Sequence, residues 1–142
     1  MKAHMIAVAA LVAATASAQD LPQASPHAEV EQIVGLTKIE VDYSRPSAKG
    51  RAIFGDLVPY DKLWRTGANL NTIIEFSTPV KLADQEVPAG KYSLFTVPGN
   101  EVWVVHLNKN TELWGESDFK EEENVVSFKV QPEPNEFTES LA

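Results

Sequence analysis

Residues 92–107 read YSLFTVPGNEVWVVHL, two apolar runs joined by Pro98, Gly99 and Asn100. Proline presets the first angle of a tight turn and glycine accepts positive φ, so the stretch predicts a β-hairpin. YSLFTV and VWVVHL both carry apolar or aromatic side chains at successive positions, which a strand sends to opposite faces. Strands of that kind lie in the middle of a sheet and are covered from two sides.

Working outward, the pattern changes to alternation. Ala28, Val30 and Val34 share one face of a predicted strand and Glu29 and Glu31 the other; Ile39, Val41 and Tyr43 alternate in the same way with Lys38, Glu40 and Asp42. Each should have one wet and one buried face. TIIEFS at 72–77 predicts a third strand, Val80 to Leu82 with Glu86 and Val87 a short, broken fourth, and VVSFKV at 125–130 the last. Pro88, Ala89 and Gly90 supply another turn. About seven short strands with turn residues between them, and no helical periodicity, predict an all-β chain: an antiparallel β-sandwich, jelly-roll-like, over residues 28–131. Residues 19–27 read as a flexible lead-in. Residues 132–142, with Pro132, Pro134 and three glutamates, read as a polar tail in which Phe137 and Thr138 would begin a further strand.

The first 18 residues, MKAHMIAVAALVAATASA, combine an early Lys2, an apolar run and small residues at 16 and 18, the pattern of a secretory signal peptide. The expected location is therefore outside the cytoplasm, periplasmic or secreted. The apolar run falls short of the roughly 20 residues of a membrane span. The chain has no cysteine, which excludes disulfides, thiol catalysis and a lipid anchor on cysteine. Its formal net charge of −8 opposes binding to nucleic acid or to anionic lipid.

Against that acidic background one segment is basic. DLVPYDKLWRTGAN, residues 56–69, alternates like neither strand nor helix, and all three arginines (Arg45, Arg51 and Arg65) lie in or just before it. Six basic residues face four acidic ones between positions 38 and 65. A guanidinium fork suits carboxylate or phosphate, and Trp64 beside Arg65 offers a flat apolar face that stacks on a sugar ring. Two readings are open. The arginines fasten a long loop, by bonds to carbonyls and to Asp42, Asp56 or Asp61, while Phe54, Leu57, Val58, Tyr60, Leu63 and Trp64 plug an end of the sandwich. Alternatively, the same residues form a pocket for an anionic or sugar-like ligand. Thr66, Gly67, Ala68 and Asn69 predict a turn, whose amides would also suit an anion.

The ordered motifs VDYSRPSAKGRAIFGDLVPYDKLWRTGAN, IEFSTPVKL, VPAGKYSLFTVPG and WVVHLNKN resemble the bacterial family Domain of Unknown Function 2911, common in exported proteins of the Bacteroidetes and their relatives. The resemblance implies an exported, mostly β domain without an assigned activity, so no catalytic residue carries over. It places Tyr43, Arg45, Arg51, Phe54, Trp64, Arg65, Gly67 and Asn69 in the most recognisable part. Members continue past the position of Phe137 with further strands, so the resemblance also implies a chain shortened at its C-terminus and exposed sheet edges.

Signals for catalysis are sparse. His27 and His106 stand 79 positions apart, no H-E-x-x-H or G-x-S-x-G spacing occurs, and the acids of ESDFKEEE at 116–123 read as a solvated loop without calcium-loop spacing. No metal or cofactor is expected. Glu75 in TIIEFS and His106 in VWVVHL are the two candidates for acid–base work. Trp103 reads as core, and Trp114, on a loop beside Gly115, as a candidate exposed stacking platform. The favoured reading is a binding or structural module whose site, if a small carboxylate-bearing or carbohydrate ligand is held, comprises Arg45, Arg51, Trp64, Arg65 and Asn69. The alternative is a glycoside or ester hydrolase using Glu75 or His106.

Overall fold

A computed structural model describes residues 21–136, 138 and 139; the expected signal peptide at 1–18 and the strand start at Phe137 lie outside the described residues. Eight strands form: β1 (His27–Val34), β2 (Thr37–Ser44), β3 (Thr72–Phe76), β4 (Val80–Leu82), β5 (Gln85–Val87), β6 (Gly90–Val97), β7 (Trp103–Asn108) and β8 (Asn124–Val130). Six build one sheet in the order β1-β2-β3-β6-β7-β8, and β4 and β5 form a second. All neighbours pair antiparallel. The fold is thus all-β with two antiparallel sheets, and the large sheet is a meander interrupted by one inserted hairpin. The described residues form eight strands and not seven because the broken fourth strand is itself a hairpin, reversed at Ala83 and Asp84 with φ of 45° and 65°.

The hairpin read from 92–107 sits in the centre of the large sheet as β6 and β7. Register brings Ile74 opposite Tyr92, Leu94 opposite Leu107, and Leu107 opposite Val126, so these side chains share a face with Phe76 and Phe128. Val80, Leu82 and Val87 of the small sheet close over that face and complete the core. On the opposite face Phe95 pairs with His106, and the ring of Phe119 packs edge-on against Phe95 with centroids 5.0 Å apart. Phe119 comes from the acidic segment before β8, whose Glu121–Glu123 form a 3-10 turn. Residues 109–123 therefore serve as the second cover of β6 and β7 as well as a solvated loop.

The expectation of one buried face on the first strand is corrected. Along β1 Val30 and Val34 remain exposed, as do Ile33 and, at 96% exposure, the turn residue Leu36. The reason lies in the small sheet: its strands have three residues each, and β5 touches β8, so among the described residues this second layer does not extend to the β1 edge. Among the described residues no helix is long and apolar enough to cross a membrane.

Residues 45–71 leave β2, make no regular strand and return as β3. They are pinned to the central hairpin. β3 begins with Thr72 opposite Leu94, which leaves the β6 edge free at Thr96. Trp64 takes that place, donating its N–H to the Thr96 carbonyl at 2.7 Å and accepting the Thr96 N–H at 2.9 Å. Asp61 N–H adds a bond to the Pro98 carbonyl at 2.8 Å.

Candidate functional site

The pinned segment and, from the end of the chain, Pro132, Glu133, Asn135, Glu136, Thr138 and Glu139 line an open cleft of about 1320 Å³. Its floor is aromatic. Phe54 meets Trp103 with ring centroids 4.9 Å apart and Trp64 at 5.9 Å, and Trp64 and Trp103 are 6.5 Å apart, all edge-to-face. This geometry places the positive edge of one ring on the negative face of the next. Trp64 is further fixed by its indole N–H, which donates to the Gly67 carbonyl at 3.2 Å. Phe54 stays 45% exposed, so the cleft retains an accessible apolar surface.

Arg51 and Arg65 stand on the same cleft. Arg51 follows a tight turn in which Lys49 and Gly50 have φ of 50° and 69°. Its Nε donates to the Ala48 carbonyl at 3.0 Å and one terminal nitrogen to the Ser47 carbonyl at 2.7 Å. Arg65 donates from a terminal nitrogen to the Asn69 carbonyl at 2.9 Å, and its backbone N–H donates to Glu116 Oε1 at 3.0 Å. Glu116 Oε1 also lies 4.0 Å from Arg65 Nε. Both guanidinium groups thus brace the loop. Among the described residues, none of the three arginines pairs with Asp42, Asp56 or Asp61; carbonyl oxygens and the distant Glu116 take that part.

The structure gathers Arg51, Trp64 and Arg65 and separates the other two expected site residues. Arg45 borders neither cleft; its backbone N–H is bonded to the Pro26 carbonyl at 2.8 Å and its Nε is buried without a partner among the described residues. Asn69, left-handed at φ 59°, donates its side-chain amide to the Ser25 carbonyl at 3.2 Å. It borders a smaller cleft of about 540 Å³ together with His27, Leu70 and the exposed Trp114. Leu70 and Trp114 form a one-residue antiparallel bridge, and the Trp114 side chain remains exposed. The bonds from Asn69 and Arg45 tie Ser25 and Pro26 to the domain.

Sequence reasoning missed three contributors to the main cleft. Trp103, expected in the core, is only half-buried and forms part of the floor. Glu116 was indistinguishable from its acidic neighbours, and its partner Arg65 is 51 positions away. Glu139 bonds to the turn before Arg51 from 90 positions away, a separation that no local pattern reports.

Glu75 and His106 border neither cleft. Glu75 sits opposite Lys91 in the register, with its carboxylate 3.1 Å from Lys91 Nζ. His106 is 8% exposed, and its Nδ1 lies 2.8 Å from Ser127 Oγ and 3.1 Å from Asn124 Nδ2. Burial holds the imidazole below its ordinary pKa of 6.5, with the Glu121 charge opposing. Among the described residues no three His, Asp or Glu side chains gather in a way that would hold a metal ion.

A family model described as "Protein of unknown function (DUF2911)" matches residues 25–142. No curated protein and no solved structure matches the chain.

Proposed function

The chain belongs to the DUF2911 family, and from that footing we propose that it is an exported binding module whose main cleft takes a small carboxylate-bearing or carbohydrate ligand. The carrying observation is the conjunction, in one cleft, of a floor of Phe54, Trp64 and Trp103 with Arg51 and Arg65 on its walls. An apolar floor with a few convergent polar groups is the usual composition of a small-molecule site. Arg51 is exposed, and protein oxygens take two of its five N–H donors among the described residues, so it can also reach a ligand oxygen. The signal-peptide pattern at 1–18 supports export. A hydrolase using Glu75 or His106 has less support, since neither residue borders the main or the smaller cleft.

The test is a thermal-shift screen of sugar acids, neutral sugars and dicarboxylates against the full chain, repeated in Arg51→Gln and Trp64→Phe. A ligand at a hundred times its Kd adds about 2.7 kcal/mol to the unfolding free energy. That gain should shrink in both variants, and no ligand should be turned over. An empty screen would leave Arg51 and Arg65 as loop fasteners alone.

A further inference from the structure

The core face of the large sheet runs on past its cover. Val30 stands opposite Val41 and Gln32 opposite Ile39, and those two residues of β2 stand opposite Ile74 and Phe76 of the core. Ala28, Val30, Gln32 and Val34 therefore lie on the core side, yet Val30, Gln32 and Val34 are exposed. The other face of the same two strands is charged, with Glu29 and Glu31 on β1 and Lys38, Glu40 and Asp42 on β2.

The outer edge of β1 also has an unpaired backbone. The Arg45 N–H donates to the Pro26 carbonyl at 2.8 Å, and these two residues extend the β1–β2 register by one pair. Opposite residues of an antiparallel ladder are hydrogen-bonded at every second pair. Ala28, Val30, Gln32 and Val34 thus direct their backbone groups to β2, and His27, Glu29, Glu31 and Ile33 turn theirs outward. Beyond β1 the sheet has no further strand among the described residues. The outward carbonyl of Ile33 receives instead the side-chain amide of Gln32, at 3.2 Å.

An edge of this kind accepts another strand, and a second copy of β1 fits it in one register. A two-fold axis through the contact makes each opposed pair occur twice. With the axis at Glu31 or at Glu29, that glutamate opposes itself; with the axis at Val30, Glu29 opposes Glu31. Like charges directly opposite each other destabilise a sheet. Moving the axis to Ala28 or Ile33 shortens the overlap, because β1 runs only from His27 to Val34. With the axis at Gln32, Val30 lies opposite Val34 and Glu31 opposite Ile33, and no carboxylate meets another. Glu31 and Ile33 then exchange their outward backbone bonds, and the bare valines of both copies join in one apolar strip on the core side.

We infer that the chain forms a symmetric dimer through β1, the two copies pairing antiparallel about Gln32 into one continuous sheet.

The chain has no cysteine, so a single introduced one reports the register. Gln32 meets its own copy at a non-hydrogen-bonded pair, with Cα atoms about 4.5 Å apart and within disulfide reach. Val30 and Glu31 are offset from their own copies by four and two residues, at about 3.3 Å for each, which is beyond that reach. Under mild oxidation the full chain carrying Gln32→Cys should give a covalent dimer on a non-reducing gel, while Val30→Cys and Glu31→Cys remain single chains. All three positions are exposed, so the fold does not depend on them. By light scattering the unchanged chain should show the mass of two chains. Glu31→Pro removes an outward N–H and leaves the β1–β2 ladder intact, and it should weaken dimerisation about tenfold or more. Val34→Lys, which changes only an exposed side chain, should weaken it too and stands in if Glu31→Pro does not fold. An unchanged chain that stays single, a dimer indifferent to both of these variants, or a disulfide that forms best through Val30→Cys or Glu31→Cys would overturn the inference.

Discussion

A Cβ placed on Gly67 would stand 2.9 Å from Thr72 Oγ1 and 3.3 Å from the Ser44 carbonyl. The long segment leaves the sheet at Ser44 and rejoins it at Thr72, so Gly67 passes between its two ends. Gly67 does not adopt a positive φ, unlike its neighbours Thr66 and Asn69; close approach, and not backbone freedom, demands glycine here. Gly67→Ala should cost about 1–3 kcal/mol in urea unfolding. Thr72→Ala alone should cost about 1 kcal/mol through the lost bond to the Thr66 carbonyl. The double variant should cost less than the two together, because removing Oγ1 makes room for the methyl group. Simple additivity would refute the crowding.

Phe95 is fully buried against Phe119. Phe95→Ala should lose about 3–5 kcal/mol, as large-to-small changes in a packed interior do. Phe119→Ala should destabilise too, although it lies in a stretch dominated by acids. Unfolding midpoints unaffected by Phe119→Ala would mean that residues 109–123 do not cover the sheet.

Ala83 and Asp84 both hold left-handed backbone angles at the tip of the β4–β5 hairpin. A two-residue turn of this kind favours asparagine followed by glycine, and an alanine there is strained. The pair Ala83→Asn and Asp84→Gly should therefore raise stability by about 1 kcal/mol, read as a higher melting temperature. A lower one would show that the hairpin does not turn there.

Arg65 is braced by the Asn69 carbonyl and by Glu116. Arg65→Ala should cost about 1.5–3 kcal/mol, the usual range for hydrogen bonds to a charged group, with or without a ligand. Glu116→Gln should cost less, since its remaining oxygen can still accept the Arg65 N–H. Urea titrations of both variants check the order, and the reverse ranking would contradict the bracing.

His106 makes stability depend on pH in one direction. Burial lowers its folded pKa below the ordinary 6.5, so beneath that value the unfolded chain binds more protons than the folded one. Stability contributed by the neutral imidazole is complete above 6.5 and is lost as the pH falls through the window beneath it. His106→Gln should flatten the stability profile between pH 7 and 5 relative to the unchanged chain. Parallel profiles would assign the acid loss to other groups.

The sequence by itself determined the all-β class, the central place of the 92–107 hairpin and the region in which a cleft was to be sought. Those features rest on neighbours: alternation sends successive side chains to opposite faces, and proline and glycine set turn angles within three or four residues. Tertiary structure alone decided that β4 and β5 form a separate small sheet, that β1 stays bare, and that Arg51 and Arg65 hold carbonyls in place of Asp42, Asp56 or Asp61. It likewise decided that Asn69 and Arg45 leave the main cleft while Trp103, Glu116 and Glu139 enter it. Glu116 and Glu139 reach their partners across 51 and 90 positions, and the chemistry of a residue does not encode its distant partner until the backbone between them has been placed.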